Sequence, residues 1–532
     1  MHSTVLTCLR HLRRALAAVA GLAVVAASAA PGDFDTTFGL GFGKVIAPVG
    51  AGGLAYSAAL QPDGKIVAVG GCPPTVGALY TVFCVARFES SGAPDTSFGV
   101  NGRVATLETA TGGNAFSSGV AVLPDGRIVA AGTCADTTPT GAPVFCFVRY
   151  SASGVLDTTF ANGGVARIAV PDRGISTTRG LLLQPDGKFV AAAYCTLPSN
   201  GNGSFCLTRV LANGTLDTTF GDGGTKVLSI LGNDRVTAIS AQPDGKILAA
   251  GFCRDFTPTS ATYACVVRVL STGQLDNTFG TNNGMVIMLA AGINNNNAEY
   301  NAVAVQHDGK ILIGGVCRTS GNTPQQFCLI RLLPNGTADA TIGSLGLVIT
   351  MTATSYAEVQ NISLQPDGKI ILAGNCKTTA NPTKLDFCSA RLHDTGELDI
   401  GYSGDGRSVT PVGTASDFIH ASLLQADGKL ILAGNCNVSP SVAFCFARLE
   451  GGPYTYQNCR PDIDGDGTTT ATTDGLILTR VMLGMTGPSV LSGITIPTHA
   501  SRKTWYDDTS GPTPVPGIRT YLTAQCGMSI RP

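Results

Sequence analysis

One phrase that returns at near-constant spacing constrains this chain more than anything else in it. It first reads Gln61-Pro62-Asp63-Gly64-Lys65-Ile66, and its Asp recurs as Asp125, Asp186, Asp244, Asp308, Asp367 and Asp427. Each copy spans about sixty residues and has the same parts. An opening such as Asp35-Thr36-Thr37-Phe38-Gly39 leads to Gly-x-Val, as at Gly43-Lys44-Val45. An alternating segment then enters the Asp-Gly turn. An apolar run follows, Ile66-Val67-Ala68-Val69-Gly70-Gly71-Cys72, then a loop and Phe83-Cys84-Val85-Ala86-Arg87-Phe88. Asp-Gly between apolar runs is a strong hairpin signal and predicts a two-residue turn with φ > 0 at both central residues. The runs are short and rich in Val, Ile and Leu, and carry no helical spacing. Four short strands per copy, seven times over, predict an all-β, seven-bladed β-propeller over residues 31–450. An open β-solenoid is the alternative, although its repeats are usually shorter. Strands from both chain ends can close such a ring, and the sequence leaves that phase open.

Composition narrows the class further. Charged residues are 13% of the 532 and the formal net charge is −1, which leaves neither the basic footprint of a nucleic-acid binder nor the charge density of a disordered chain. Residues 1–30 read as a secretory signal peptide: Arg10, Arg13 and Arg14 without an acid, an apolar run from Ala15 to Ala27, then Ala27-Ser28-Ala29. The apolar run is short for a membrane span, and no later segment is long enough, so the mature chain is expected to carry no transmembrane segment. Arg13-Arg14 leaves the general and twin-arginine export routes both open. The expected location is secreted, cell-surface or periplasmic.

Fourteen of the seventeen cysteines follow the repeat as pairs: Cys72 with Cys84, Cys134 with Cys146, Cys195 with Cys206, Cys253 with Cys265, Cys317 with Cys328, Cys376 with Cys388, and Cys436 with Cys445. Cys8 leaves with the signal peptide, and elimination pairs Cys459 with Cys526. An even count at repeated spacing in an exported chain predicts disulfides, each clamping the base of a loop. Isolated Cys pairs without His are poor zinc sites.

The repeat resembles that of the bacterial secreted delta-60 repeat proteins. The matching residues are the Gln-Pro-Asp-Gly-Lys-Ile phrase, the Arg after the second Cys, and Leu216-Asp217-Thr218-Thr219-Phe220-Gly221. The resemblance implies a secreted, propeller-like protein and brings no established activity. Departures are local: Ala193-Tyr194 where other copies have Gly, Ile342 for Phe, and Ile400-Gly401-Tyr402-Ser403-Gly404 after Asp399.

Two sets of recurrent polar residues invite opposite readings. Arg87, Arg149, Arg209, Arg268, Arg331, Arg391 and Arg448 occupy one identical position, which suits an intra-blade bond better than a ring of anion sites. Seven residues before each turn Asp the residue varies: Tyr56, Ser118, Arg179, Thr237, Asn301, Gln360 and His420. Equivalent positions form a circle in a ring. These seven are a candidate ligand rim if they face the central funnel, and solvated strand starts if they do not.

Residues 451–532 form a separate carboxyl-terminal module. Asp462, Asp464 and Asp466 alternate before Gly467, as in a calcium loop where carboxylates converge on a hard cation. The carbonyl of Thr468, Thr470 through a water, and Asp474, one place late for the closing carboxylate, complete the expected Ca2+ site, followed by a helix bearing Leu476, Ile477, Val481 and Met482. This stretch resembles a dockerin-type, EF-hand-like module. The second loop that dockerins carry is missing here, or reduced to Ile518-Arg519-Thr520-Tyr521-Leu522.

No His-Glu-x-x-His or Gly-x-Ser-x-Gly occurs, and the six Glu are scattered over the blades without an evident pair. The expectation is therefore a secreted, non-enzymatic binding, adhesion or scaffolding protein with an unidentified protein or glycan partner. The rival is an extracellular hydrolase of glycan or peptide sited in the funnel, and two carboxylates together there would favour it.

Overall fold

A computed structural model describes residues 29–452, apart from short loop stretches, and seven isolated positions beyond them. Residues 1–28, Cys459, Cys526, and the calcium-loop candidates Asp462, Asp464, Asp466, Thr468, Thr470 and Asp474 lie outside the described residues. The helix expected after Asp474 is described only at Ile477.

The described fold is all-β. Its 28 strands, β1 to β28 in chain order, form seven four-stranded antiparallel sheets. A single parallel bridge, Gly203 to Asn233, joins two of them at one edge. The innermost strands are β2 (Leu54–Leu60), β6 (Phe116–Val122), β10 (Gly174–Leu183), β14 (Asn233–Ala241), β18 (Glu299–Val305), β22 (Thr354–Leu364) and β26 (Asp417–Leu424). Each contacts the next, and β26 contacts β2, so the ring is closed.

The closing sheet settles the phase. Its outermost strand is β1 (Lys44–Ala47), paired with β28 (Ser441–Leu449), so the chain's first strand completes its last sheet. Every second strand of a sheet is an unbroken apolar run because both its faces are buried. Val67 and Val69 pack with Ile128 and Ala130 of the following sheet, while Ile66 and Ala68 pack with Ile431 and Ala433 of the preceding one. Alternate side chains thus serve two different cores, and neither face reaches water.

The turn departs from the expectation. Gly64 has φ 85°, but Asp63 is not in the left-handed region. The Gly64 amide bonds to the Gln61 carbonyl, and the Asp63 carboxylate accepts the Lys65 amide. In five copies a Pro such as Pro62 holds φ near −65°, which suits a type I turn. His307 and Ala426 stand there in the other two, which turn the same way. The Asp bond to the amide two residues on and the left-handed glycine are therefore what all seven turns share.

The recurrent Arg is structural. In all seven sheets its Nε bonds an Asp at 2.5–2.9 Å, from Arg87–Asp95 to Arg448–Asp35. The next nitrogen donates to a carbonyl of the neighbouring sheet, Arg87 to Ala152 and Arg448 to Ser90. In six sheets the guanidinium also lies over an aromatic ring at 4.3–4.8 Å, such as Phe98 or Phe279. Tyr402 takes this place in the degenerate copy, and Ile342 leaves Arg331 without a ring. The basic residue after the turn reaches the same Asp, as Lys65 does at 2.8 Å. The two repeated phrases are therefore one polar cluster, and it ties each sheet to the next.

Seven disulfides are formed as the spacing predicts, with Cα separations of 5.7–6.0 Å. The second Cys is inside its strand rather than at its start: Cys84 stands opposite Gly70 and Cys72 opposite Val82, a diagonal arrangement shared by all seven pairs.

Candidate functional site

The seven variable positions share a local geometry that no sequence pattern revealed. In each innermost strand the ladder register shifts by one residue, between Ala55 and Ser57 in β2 and between Ile419 and Ala421 in β26. The residue skipped is in every case the variable one: Tyr56, Ser118, Arg179, Thr237, Asn301, Gln360 or His420. A β-bulge leaves its extra residue unpaired and re-aims its side chain. All seven line one central cavity of about 550 Å³. A glycine on the neighbouring strand makes room for the bulge. A Cβ on Gly70 would lie 1.7 Å from the Leu54 carbonyl oxygen, and one on Gly251 2.0 Å from that of Arg235. Ala193 replaces this glycine in one sheet; β10 there, and β22 in a sheet that keeps Gly374, each carry a second register shift.

The seven side chains divide by what they do. Ser118 donates to the Thr178 carbonyl at 2.6 Å, Thr237 to that of Tyr300, and Asn301 to that of Val359 at 3.2 Å. These three fasten adjacent innermost strands. The other four present chemistry to the cavity. His420 Nε2 bonds Asn435 at 2.9 Å, and its ring meets Tyr56 edge-on at 5.5 Å. Phe116 lies 5.8 Å from Tyr56, which makes an aromatic wall over three neighbouring sheets. Burial, with the Arg179 charge adding to it, pushes the His420 pKa down to about 4, against the Asn435 bond, so the imidazole is neutral at pH 7. Burial likewise raises the Tyr56 pKa, and Arg179 opposes that shift.

Arg179 is accessible to the cavity although protein crowds it. Burial first, and the nearby Arg235 charge second, lower its pKa; Tyr56 acts the other way. No acidic residue among the described residues lines the cavity. Arg235, two residues before Thr237, lies over the Tyr194 ring at 4.9 Å and pairs with no carboxylate among the described residues.

Two acids that sequence reasoning passed over lie one strand step from the lining. Glu299 and Glu358 each sit two residues before a lining residue, Asn301 and Gln360, on the neighbouring strands β18 and β22. Gln360 Nε2 donates to Glu358 at 2.8 Å, and Asn375 does so at 3.2 Å. Glu299 is 3.6 Å from Arg254. Both charges act on Tyr356: burial raises its phenol far above the usual range, and Glu358, which it also bonds, and then Glu299 push it further. A signal existed in the sequence, since both Glu stand nine residues before the turn Asp of successive copies.

Five stretches, 61–98, 123–160, 184–220, 242–279 and 306–341, match a family described as a domain of unknown function (DUF5122) beta-propeller. No curated protein matches the chain. Among solved structures it is similar to an alpha-L-arabinanase from Penicillium chrysogenum, complexed with arabinobiose, at 11% identity over 76% of this chain and 97% of the other, with a TM-score of 0.38. The β-propeller domain of the Trilobed protease from Pyrococcus furiosus, which has an open velcro topology, matches at 8% identity over 76% and 98%, TM-score 0.39. An alpha-L-arabinofuranosidase from Fusarium graminearum matches at 9% over 62% and 92%, TM-score 0.36. Likeness at this level carries no activity over to this chain. The expectation that the chain is not an enzyme is nevertheless corrected. Its similar structures are mostly enzymes, and Glu299 and Glu358, scattered in the sequence, stand at matching positions of neighbouring innermost strands and both act on Tyr356.

The disulfides suit an oxidising, extracellular environment. No helix among the described residues is long and apolar enough to cross a membrane.

Proposed function

We propose that this chain is an exported hydrolase of extracellular glycan or peptide, with its site in the central cavity of a seven-bladed propeller. The observation that carries this reading is the placement of Glu299 and Glu358 at matching points of neighbouring innermost strands, each two residues before a lining residue of the cavity and both acting on Tyr356. Hydrolysis of a glycosidic bond uses two carboxylates, one as acid and one as base or nucleophile, and adjacent strands are a natural way to hold them. Glu358, which accepts bonds from Gln360 and Asn375, is the better fixed and takes the base or nucleophile role. Glu299 takes the acid role. Binding of the ligand in the cavity is the part of this reading shared with an adhesion or scaffolding protein. Export through the 1–30 signal and a Ca2+-stabilised module over 451–532 belong to the same proposal.

The test is release of reducing ends from debranched arabinan and polygalacturonate, and of free amines from casein peptides. Turnover of one of these, with Glu358→Gln and Glu299→Gln each slowing it about a hundredfold or more, is the expected result. No turnover, or unchanged rates in both variants, overturns the reading.

A further inference from the structure

The innermost strands that form the cavity carry a charge pattern that narrows its ligand. Going round the ring, His420, Tyr56 and Phe116 form an aromatic sector. Arg179 and Arg235 follow on adjacent innermost strands, and the acids Glu299 and Glu358 on the next two. The seven repeated Arg are each paired with an Asp, so the fold satisfies its guanidinium groups wherever they serve structure. Arg179 breaks that rule. It projects from a bulge into the cavity, no acid among the described residues lines the space around it, and its charge is felt by Tyr56 and His420 across the lining. An Arg crowded by protein, beside a second Arg and without a counter-ion, is a site prepared for a planar anion, which the guanidinium fork grips with two hydrogen bonds.

We propose that the cavity binds an acidic saccharide, with a carboxylate or sulfate of the sugar on Arg179 and Arg235 and the sugar ring against Tyr56 and Phe116. The aromatic wall favours a sugar ring, because it sets apolar ring surface beside the cation, while Gln360 and His420 add polar atoms to the same lining. The two acids stand on the far side of Arg235 from Arg179, so they repel the anionic end and turn it toward the Arg sector. This inference rests on the cavity being the ligand site, but not on hydrolysis there.

Calorimetric titration of the oxidised full-length chain with trigalacturonate, a sulfated carrageenan disaccharide and neutral galactotriose tests it. One of the acidic sugars should bind, galactotriose should bind at least tenfold more weakly, and Arg179→Gln should weaken the acidic ligand about tenfold or more. Arg179 makes no bond that holds the fold, so this variant should melt with the wild type. Arg235→Gln is the second variant and should weaken the same ligand. Preference between trigalacturonate and the disaccharide identifies carboxylate or sulfate as the anion. Equal binding of neutral and acidic sugars, no binding of any, or unchanged affinity in a folded Arg179→Gln overturns the inference. Cleavage of a neutral glycan at an unchanged rate in Arg179→Gln would leave the hydrolase and remove the acidic ligand. Tight binding of trigalacturonate without cleavage would do the reverse.

Discussion

Replacing Asp217 by Asn tests whether the repeated phrases are one structural cluster. The Asp217 carboxylate is 4% exposed and accepts Arg209 Nε at 2.8 Å, Thr219 Oγ1 at 2.6 Å and the Thr219 amide at 3.1 Å. Lys188 lies 3.3 Å away. Burial alone would raise its pKa, but the Thr219 bonds and the Arg209 charge outweigh it and hold the group at about 2 against an ordinary 3.8. That difference is worth about 2 kcal/mol of folding stability. Asn also leaves Arg209, itself 6% exposed, without its charge partner, and breaking one side of a buried pair costs about 3–5 kcal/mol. Arg209 keeps the Ser271 carbonyl and the Phe220 ring, so the cost should fall near the lower bound, about 3 kcal/mol at pH 7. Because the folded pKa is depressed, the contribution is complete above pH 4 and is lost as the pH falls toward 2. Urea unfolding of the oxidised chain should therefore show a large gap between wild type and Asp217→Asn at pH 7 and a small one near pH 2. Asp186→Asn is the control: its carboxylate is 53% exposed beside the same Lys188, and its loss should cost about 1 kcal/mol or less. An Asp217→Asn effect no larger than the control's, or one that does not change with pH, would refute the reasoning.

Other outcomes follow from the same geometry. Removing one clamp with Cys253→Ala and Cys265→Ala should lower the unfolding free energy by about 3 kcal/mol, the chain-entropy value for a loop of this length, read as a shift in urea midpoint. Gly251→Ala should cost about 1–3 kcal/mol and weaken acidic-sugar binding, because its Cβ would displace the Arg235 carbonyl and with it the bulge at Thr237. Calcium titration should show one site that Asp464→Ala with Asp466→Ala abolishes; no heat of binding to the unaltered chain would end the calcium-module proposal.

Much of the architecture was legible because the repeat itself carries it. Seven turn phrases, the Val, Ile and Leu runs and the paired cysteines each follow from local chemistry: a turn needs a left-handed glycine, a strand buried on both faces reads apolar throughout, and cysteines at a repeated spacing on adjacent strands bridge. The intra-blade reading of the recurrent Arg was also available, since seven identical positions suit a bond that every sheet makes. The carboxyl-terminal readings lie outside the described residues and stand as proposals.

Tertiary structure alone decided the rest, and in each case because the deciding contact joins residues distant in sequence. The partner of Asp35 is Arg448, so which strand closes the ring depends on where both chain ends arrive. The bulges at Tyr56, Arg179 and their equivalents depend on how an innermost strand is pressed against the glycine of its neighbour, a register matter that alternation cannot report. Glu299 and Glu358 are 59 residues apart and reach matching points of neighbouring strands only because successive copies are adjacent in a ring. Local patterns specify the repeated unit. Closure of the ring brings the residues that differ between units to one cavity.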